Sequence, residues 1–311
     1  MSARILITGA GGYIGRQLGE RLAQSFTVRG IDLREVDAGF PIRAMDIRDS
    51  ALAQYMLDEK FTHVVHLAAV LEDSGNRERD FDIDVNGTAN VLSACVQAGV
   101  RHLTVTSSGA AYGYYADNPA WLKESDALRG NPEFAYADHK RQVEELLSEY
   151  RNKAPQLEQL ILRVGTVLGA NTRNLITNLF SRPRLPGVRG SQSPFVFIWD
   201  QDLLAIIEQG VRESVPGIFN VAGDGTMSMS DIGRVLGKPE MQLPAVLLKS
   251  VLLIGKALGL TRYGPAQINF LRYRPVLSND KLKREFPFVP EKSSAETFVY
   301  YVEHARRRGE L

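Results

Sequence analysis

The chain has a single cysteine, Cys95, among 311 residues. An intramolecular disulfide is impossible, as is a metal site built on cysteine pairs, and this usage fits a reducing compartment such as the cytoplasm. Histidine is scarce as well. The five residues at 63, 66, 102, 139 and 304 lack an HExxH or similar spacing, so no metal is expected. Charge of one sign is missing too: 37 Lys and Arg against 36 Asp and Glu leave a formal net charge of +1. That balance gives no basic footprint for nucleic acid and no acidic tail. Met1-Ser2-Ala3-Arg4 leads straight into an apolar run, so no signal peptide is read there, and there is no repeat or low-complexity segment. What remains is an ordinary soluble composition, long enough to bury a large core as one domain with an appendage or as two domains.

What is present begins almost at the N-terminus. Ile5-Leu6-Ile7 is apolar without alternation, as a strand covered on both faces allows. It breaks at Thr8-Gly9, and Ile14, Leu18 and Leu22 then recur at helical spacing. Three glycines punctuate the turn. Gly9 permits the tight bend, Gly12 lets backbone approach a pyrophosphate, and Gly15 lets helix pack closely on strand. The helix that starts there points unpaired N–H groups and its positive dipole end at such a phosphate. Phe26 to Ile31 reads as a second strand ending in Asp32, about where an acidic residue would bind a ribose 2′-hydroxyl. A carboxylate there favours NAD over NADP. Arg34 keeps NADP open, and a plain strand-end turn is the alternative role for Asp32.

Further elements follow in the alternation of a doubly wound parallel fold. A segment ending at Met45 precedes Asp46-Ile47, then a helix from Ser50 to Lys60 and a buried strand from Thr62 to Leu67. Ala68-Ala69 leave room for a ligand over the sheet edge. A long helix is predicted from Asp80 to Ala98, with Gly99 placed to end it. Arg101 to Thr106 is the next strand, and Ser107-Ser108 follow it. A helix from Tyr136 to Arg151 and a strand from Gln159 to Val164 complete the run.

Tyr136 and Lys140 are four residues apart, so on a helix they share one face. An ammonium beside a phenol, with a cationic nicotinamide ring nearby, favours the phenolate. Such a tyrosine takes a proton from a substrate hydroxyl as its carbon loses hydride, or returns one in reverse. A serine at the end of a neighbouring strand can hydrogen-bond the same oxygen. Of the eleven tyrosines only Tyr136 has lysine four positions later.

With these residues in order, the chain resembles the extended short-chain dehydrogenase/reductases of the NAD-dependent epimerase/dehydratase family. The resemblance rests on Thr8–Gly15, Asp32, Asp46-Ile47, His66–Ala69, Asp84–Thr88, Ser107-Ser108 before Tyr112-Gly113, Tyr136 with Lys140, Leu162-Arg163, Leu168-Gly169 and Phe195–Leu203. It implies a Rossmann-type α/β fold of about seven mostly parallel strands with a smaller, mostly helical C-terminal lobe. Residues 1–169 and 195–221 would form the NAD-binding part, and 170–194 with 222–311 the substrate lobe. For the cofactor, NAD, it implies Gly9, Gly12, Tyr13, Ile14, Gly15, Asp32, Asp46, Ile47, Leu67, Ala68, Ala69, Asp84, Tyr136 and Lys140. Asp46-Ile47 would lie against adenine and Leu67–Ala69 along the cofactor. For catalysis it implies Tyr136 as base, Lys140 as ribose anchor, and Ser108 as partner of the substrate oxygen. A homodimer through the helices near 80–98 and 136–151 is implied by the same analogy.

Departures from the family narrow this. Gly109-Ala110 stand where its 4,6-dehydratases carry Asp-Glu, which argues against elimination of water. Phe195 stands where many nucleotide-sugar enzymes carry a diphosphate-binding arginine, leaving Arg189, Arg272 or Arg274 as substitutes. Asp84 replaces a usual Asn, Val164 a frequent Pro, and His139 a common Ser. Asn174 and Arg274 are candidate substrate contacts in the lobe. Pro244 to Leu260 is strongly apolar with Lys249 and Lys256 near one side; its length and lysines argue against a membrane span, and a buried lobe helix is expected. A lid, an oligomer contact and shallow membrane association are the alternatives. The expected activity is NAD-dependent oxidation of a secondary alcohol within an epimerase-type cycle on a sugar or nucleotide sugar. A net alcohol dehydrogenase or ketone reductase on a less polar small molecule is the second possibility, and a non-catalytic NAD-binding scaffold the third.

Overall fold

A computed structural model describes residues 3–71, 74–259, 264–265 and 268–311. Met1 and Ser2, expected to lead into the first strand, and Leu260, the expected end of the apolar segment, lie outside the described residues. Among the described residues eleven strands run in chain order: β1 (Arg4–Thr8), β2 (Thr27–Asp32), β3 (Ile42–Ala44), β4 (His63–His66), β5 (His102–Ser108), β6 (Glu158–Val164), β7 (Thr166–Leu168), β8 (Leu185–Val188), β9 (Phe197–Trp199), β10 (Gly217–Val221) and β11 (Glu240–Leu243). Seven of them form one sheet in the order β10-β6-β5-β4-β1-β2-β3, and every pairing in it is parallel. The expected Rossmann-type sheet is present. Strand order reverses beside β1, which leaves a crevice at the carboxyl ends of β1 and β4.

The apolar runs split between the two faces as period-two side chains must. Ile5 and Ile7 of β1 join Leu18 and Leu22 of the first helix, and Leu203, Ile206 and Ile207 of helix Asp200–Glu213, in one buried cluster. Leu6 faces the other way, into a cluster with Val64, Leu103, Leu92, Cys95 and Val143. Cys95 is wholly buried there, and burial pushes its thiol far above its ordinary range.

Two expected elements differ in form. The long helix expected over 80–98 is three pieces: Arg77–Phe81, a π turn over Asp82–Asn86, and Gly87–Gln97. The wider turn carries buried Asp84, and such turns inside helices are frequent at functional sites. The apolar segment forms helix Ala245–Ala257, and none of its residues is buried, against the expectation of a buried lobe helix. Helix Ile268–Arg272, only five residues long, packs against it, and among the described residues its Val246, Val251, Leu253 and Ile254 stay exposed. Two short parallel pairs, β7 with β9 and β8 with β11, build the remaining part around an aromatic cluster of Phe180, Phe195, Phe197 and Phe298. Among the described residues, no helix is long and apolar enough to cross a membrane.

Candidate active site

The glycine turn sits at the crevice. Gly9 has φ +70°, and a Cβ there would lie 2.8 Å from Ala68 N, so both its conformation and its neighbour require glycine. A Cβ on Gly15 would collide with the Gly9 carbonyl oxygen, which is the close packing of helix on strand. Gly12 precedes helix Tyr13–Leu22 without a capping side chain, so the first N–H groups of that helix are open to an anion. The Asp32 carboxylate, at the end of β2, accepts from Gly11 N at 2.9 Å and from Leu33 N at 2.8 Å, next to the turn. Arg34 is exposed two residues on. These features fit a dinucleotide, its pyrophosphate on the turn and a ribose toward Asp32.

The other residues expected at the cofactor are placed as follows. Leu67 N donates to Thr8 O and Ala68 N to Thr8 Oγ1, which fixes the Leu67–Ala69 segment beside β1. Ile47 is buried. Asp46 is clamped by Arg48, whose hydrogen bonds hold its carboxyl below the usual range. The Tyr13 phenol donates to Asp200, at the start of helix Asp200–Glu213. Burial and that carboxylate raise the phenol above its ordinary value. Ile14 packs against the core cluster around Ile5 and Ile7. His66 bridges Thr8 Oγ1 (2.7 Å) and Thr88 Oγ1 (3.0 Å), and complete burial, with Lys140 adding to it, pulls it down to about 3, so it is neutral.

Ser108 ends β5 and caps a short turn, its Oγ accepting from Ala110 N at 3.1 Å. Tyr136 and Lys140 lie in helix Ala135–Lys153, with the Lys140 ammonium 5.8 Å from the centre of the Tyr136 ring. Lys140 Nζ donates to Thr106 O at 3.0 Å and borders a small cavity lined by His66, Ala68, Ala69, Asp84 and Thr88. Tyr136, Lys140 and Glu144 follow at i, i+4 and i+8, so one helix face carries all three. Glu144 was not singled out in the sequence. It is buried, accepts from Ser107 Oγ at 2.6 Å, and forms a bidentate pair with Arg163 of β6. Burial opposes the Arg163 charge, but Glu144 outweighs it and holds the guanidinium above its ordinary value. Arg163 also reaches the Tyr112 hydroxyl, so this network fixes the β5 end on which Ser108 stands. A carboxylate four residues beyond the lysine was the signal available.

Two departures from the family prove to be one. Asp84 Oδ2 lies 3.1 Å from His139 Nδ1, both buried, while Asp84 Oδ1 accepts from Val70 N at 2.7 Å. The Asp that replaces Asn thus faces the His that replaces Ser.

The lobe supplies a guanidinium. Arg274 lies over the Phe195 ring at 3.8 Å, donates to Ser193 O, and is also 5.3 Å from Phe270. Its Nε and one terminal nitrogen are buried without a hydrogen-bond partner among the described residues. Burial pulls it down to about 9. Phe270 packs with Tyr114 and Phe134 in the cluster that includes Tyr136. Asn174 instead caps helix Leu175–Phe180: its Oδ1 accepts from Ile176 N and Thr177 N, and its Nδ2 donates to Val167 O. Arg189 is exposed at the end of β8, and the Arg272 guanidinium rests on the Tyr273 ring. Among the described residues, no group of His, Cys, Asp or Glu is placed to hold a metal ion.

Residues 5–193 match the family model for the NAD dependent epimerase/dehydratase family. The chain belongs to that family. As a member it is an NAD-dependent enzyme of the epimerase or dehydrogenase kind, and the expected cofactor stands. Solved structures agree in fold: UDP-glucose 4-epimerase of Thermus thermophilus, in complex with NAD, superposes with a TM-score of 0.74 at 24% identity, covering 97% of this chain and 99% of that one. Among relatives, the N-acetyl-alpha-D-glucosaminyl-diphospho-ditrans,octacis-undecaprenol 4-epimerase of Escherichia coli O157:H7 is 31% identical over 58% of this chain and 54% of its own length. The D-erythronate dehydrogenase of Cupriavidus necator is 30% identical over 52% of this chain and 55% of its own.

Proposed function

We propose that this family member epimerises a sugar carried on a diphosphate, by reversible oxidation of a secondary hydroxyl. The observation that carries it is the pairing of Tyr136 and Lys140 with the buried Arg274 guanidinium through one aromatic-lined cluster. A buried cation with unpartnered N–H groups calls for an anion, and a phosphate meets a guanidinium with matching geometry. The names of two relatives, a UDP-glucose 4-epimerase and an epimerase of a diphospho-linked sugar, share that chemistry.

Bound NAD supplies a hydride acceptor at the substrate carbon and the same hydride for return. Tyr136 takes the hydroxyl proton as the carbon is oxidised and gives it back on reduction. Ser108 donates a hydrogen bond to the reacting oxygen, while one lone pair of its Oγ accepts from Ala110 N. Lys140 keeps positive charge beside the phenol and holds the ribose, while Thr106 O fixes its position. Asp32 accepts the 2′-hydroxyl of the other ribose and selects NAD. Arg274 anchors the diphosphate. The protein works as a homodimer through helices Gly87–Gln97 and Ala135–Lys153, by family analogy.

Incubation of the NAD-loaded protein with UDP-glucose and other diphosphate-linked sugars, read by NMR, should give epimer mixtures without accumulation of NADH. Stoichiometric NADH from an alcohol or sugar-acid panel would overturn this in favour of a net dehydrogenase. That second reading is supported by the likeness to D-erythronate dehydrogenase.

A further inference from the structure

The feature that the active site does not absorb is helix Ala245–Ala257. Its inward side, Ala245, Leu248, Leu252 and Gly255, is only half-buried. Its outward side is mostly aliphatic, with Val246 76% exposed, Leu258 just beyond it 66% and Ile254 57%, Leu247, Val251 and Leu253 exposed with them, and Ser250, whose hydroxyl donates to Val246 O, among them. At 100° per residue Lys249 and Lys256 fall together on one edge of that outward face, next to Leu253 and Val246. Neither lysine has an ion pair among the described residues.

The charge around it is one-sided in a chain that is otherwise balanced. From Met241 to Asn279 the sequence has no acidic residue, while the helix itself exposes Lys249 and Lys256. Arg189, exposed and without a carboxylate partner among the described residues, stands where β8 ends against Leu243, one residue before Pro244 and the helix. An aliphatic face about 20 Å long, edged by two lysines without an ion pair among the described residues, matches the boundary of an anionic bilayer, where lysine stems lie along the surface and their ammonium groups meet lipid phosphates. A second copy of the same face fits poorly, because a two-fold contact sets like charges against each other with no carboxylate on this stretch to meet them.

We infer that helix Ala245–Ala257 docks in the plane of an anionic membrane surface. The site then opens close to that surface, since the helix packs on Ile268–Arg272, whose Phe270 belongs to the cluster around Tyr136. The inference is independent of the reaction performed there.

Co-sedimentation of the purified full chain with vesicles tests it. Vesicles of phosphatidylcholine with phosphatidylglycerol should retain the protein, and phosphatidylcholine alone should retain much less, with the difference shrinking in high salt. Lys249→Gln and Lys256→Gln should each weaken partition about fivefold. Val246→Asp or Ile254→Asp should abolish it while the circular dichroism and NAD binding of the variant remain those of the parent. Failure to bind either vesicle would overturn the inference. So would binding that is indifferent to phosphatidylglycerol and to the lysine variants, or a concentration-dependent dimer that Ile254→Asp dissociates.

Discussion

Leu162 and Leu253 are the same side chain in the same molecule, one in β6 at full burial and one facing solvent from helix Ala245–Ala257. Around Leu162, apolar pattern, sheet position and chemistry agree: the strand beside it ends at Ser108, and Arg163 next to it locks Glu144 on the face that carries Tyr136 and Lys140. Around Leu253 they part. The helix pattern is strong, yet no core lies beneath most of it. Apolar sequence therefore marks two different things in this chain, a core that holds the site in place and a surface that has its counterpart outside the chain.

The contrast can be broken by substitution, starting where the effect is largest. Tyr136→Phe should lower turnover by about two to four orders of magnitude with NAD affinity nearly unchanged in a titration; unaltered turnover would remove the proton-transfer assignment. Glu144→Ala leaves Arg163 charged, buried and unpaired, and should cost about 3–5 kcal/mol in urea unfolding. A loss under about 1 kcal/mol, on the order of an exposed pair, would show that the pair is not buried in solution. Asp32→Ala removes a carboxylate that also accepts from Gly11 N, and NAD preference over NADP should fall by about 10–100-fold in competition kinetics.

Next comes acid. Burial is the main cause that pulls His66 down to about 3 and His63 to about 4, against 6.5 when the chain is unfolded. Below pH 6.5 the unfolded chain takes protons that the folded chain refuses, so stability is intact above 6.5 and declines as pH falls toward 4. At about pH 5 the loss should be about 2 kcal/mol for the wholly buried His66 and less for His63, which solvent screens in part, read from urea melts at about pH 7.5 and 5. Flat stability across that range would place these imidazoles in contact with water. Smallest of all, Leu253→Ala should change stability by no more than about 0.5 kcal/mol, whereas Leu162→Ala should cost about 2–5 kcal/mol. Equal costs would mean that the two environments do not differ.

Much of the sheet could be read before any coordinates, because each strand there is a short apolar run closed by small or polar residues. Thr8–Gly15, Asp32 and Tyr136 with Lys140 were legible for a related reason: each is a local pattern with fixed spacing. Contacts between distant residues were not. Glu144 with Arg163, Asp84 with His139, and Arg274 over Phe195 join positions whose meeting depends on the finished fold. The helix at 245–257 failed for a different reason, since periodicity reports an apolar face and says nothing about what covers it. The interrupted helix at 77–97 shows a finer loss: hydrophobic spacing tolerates one wide turn, so the π turn under Asp84 left no trace.

Cys95 offers an unplanned instrument. The thiol is sealed in the cluster that includes Leu6, Leu103 and Val143, and its ionisation is suppressed by that burial. A thiol in such a place reacts only when the sheet opens around it, so the rate of its alkylation by a small reagent reports how often that opening occurs. With one cysteine in the sequence, the signal has one origin. The native protein thus carries its own clock for breathing of the sheet, with no label to engineer.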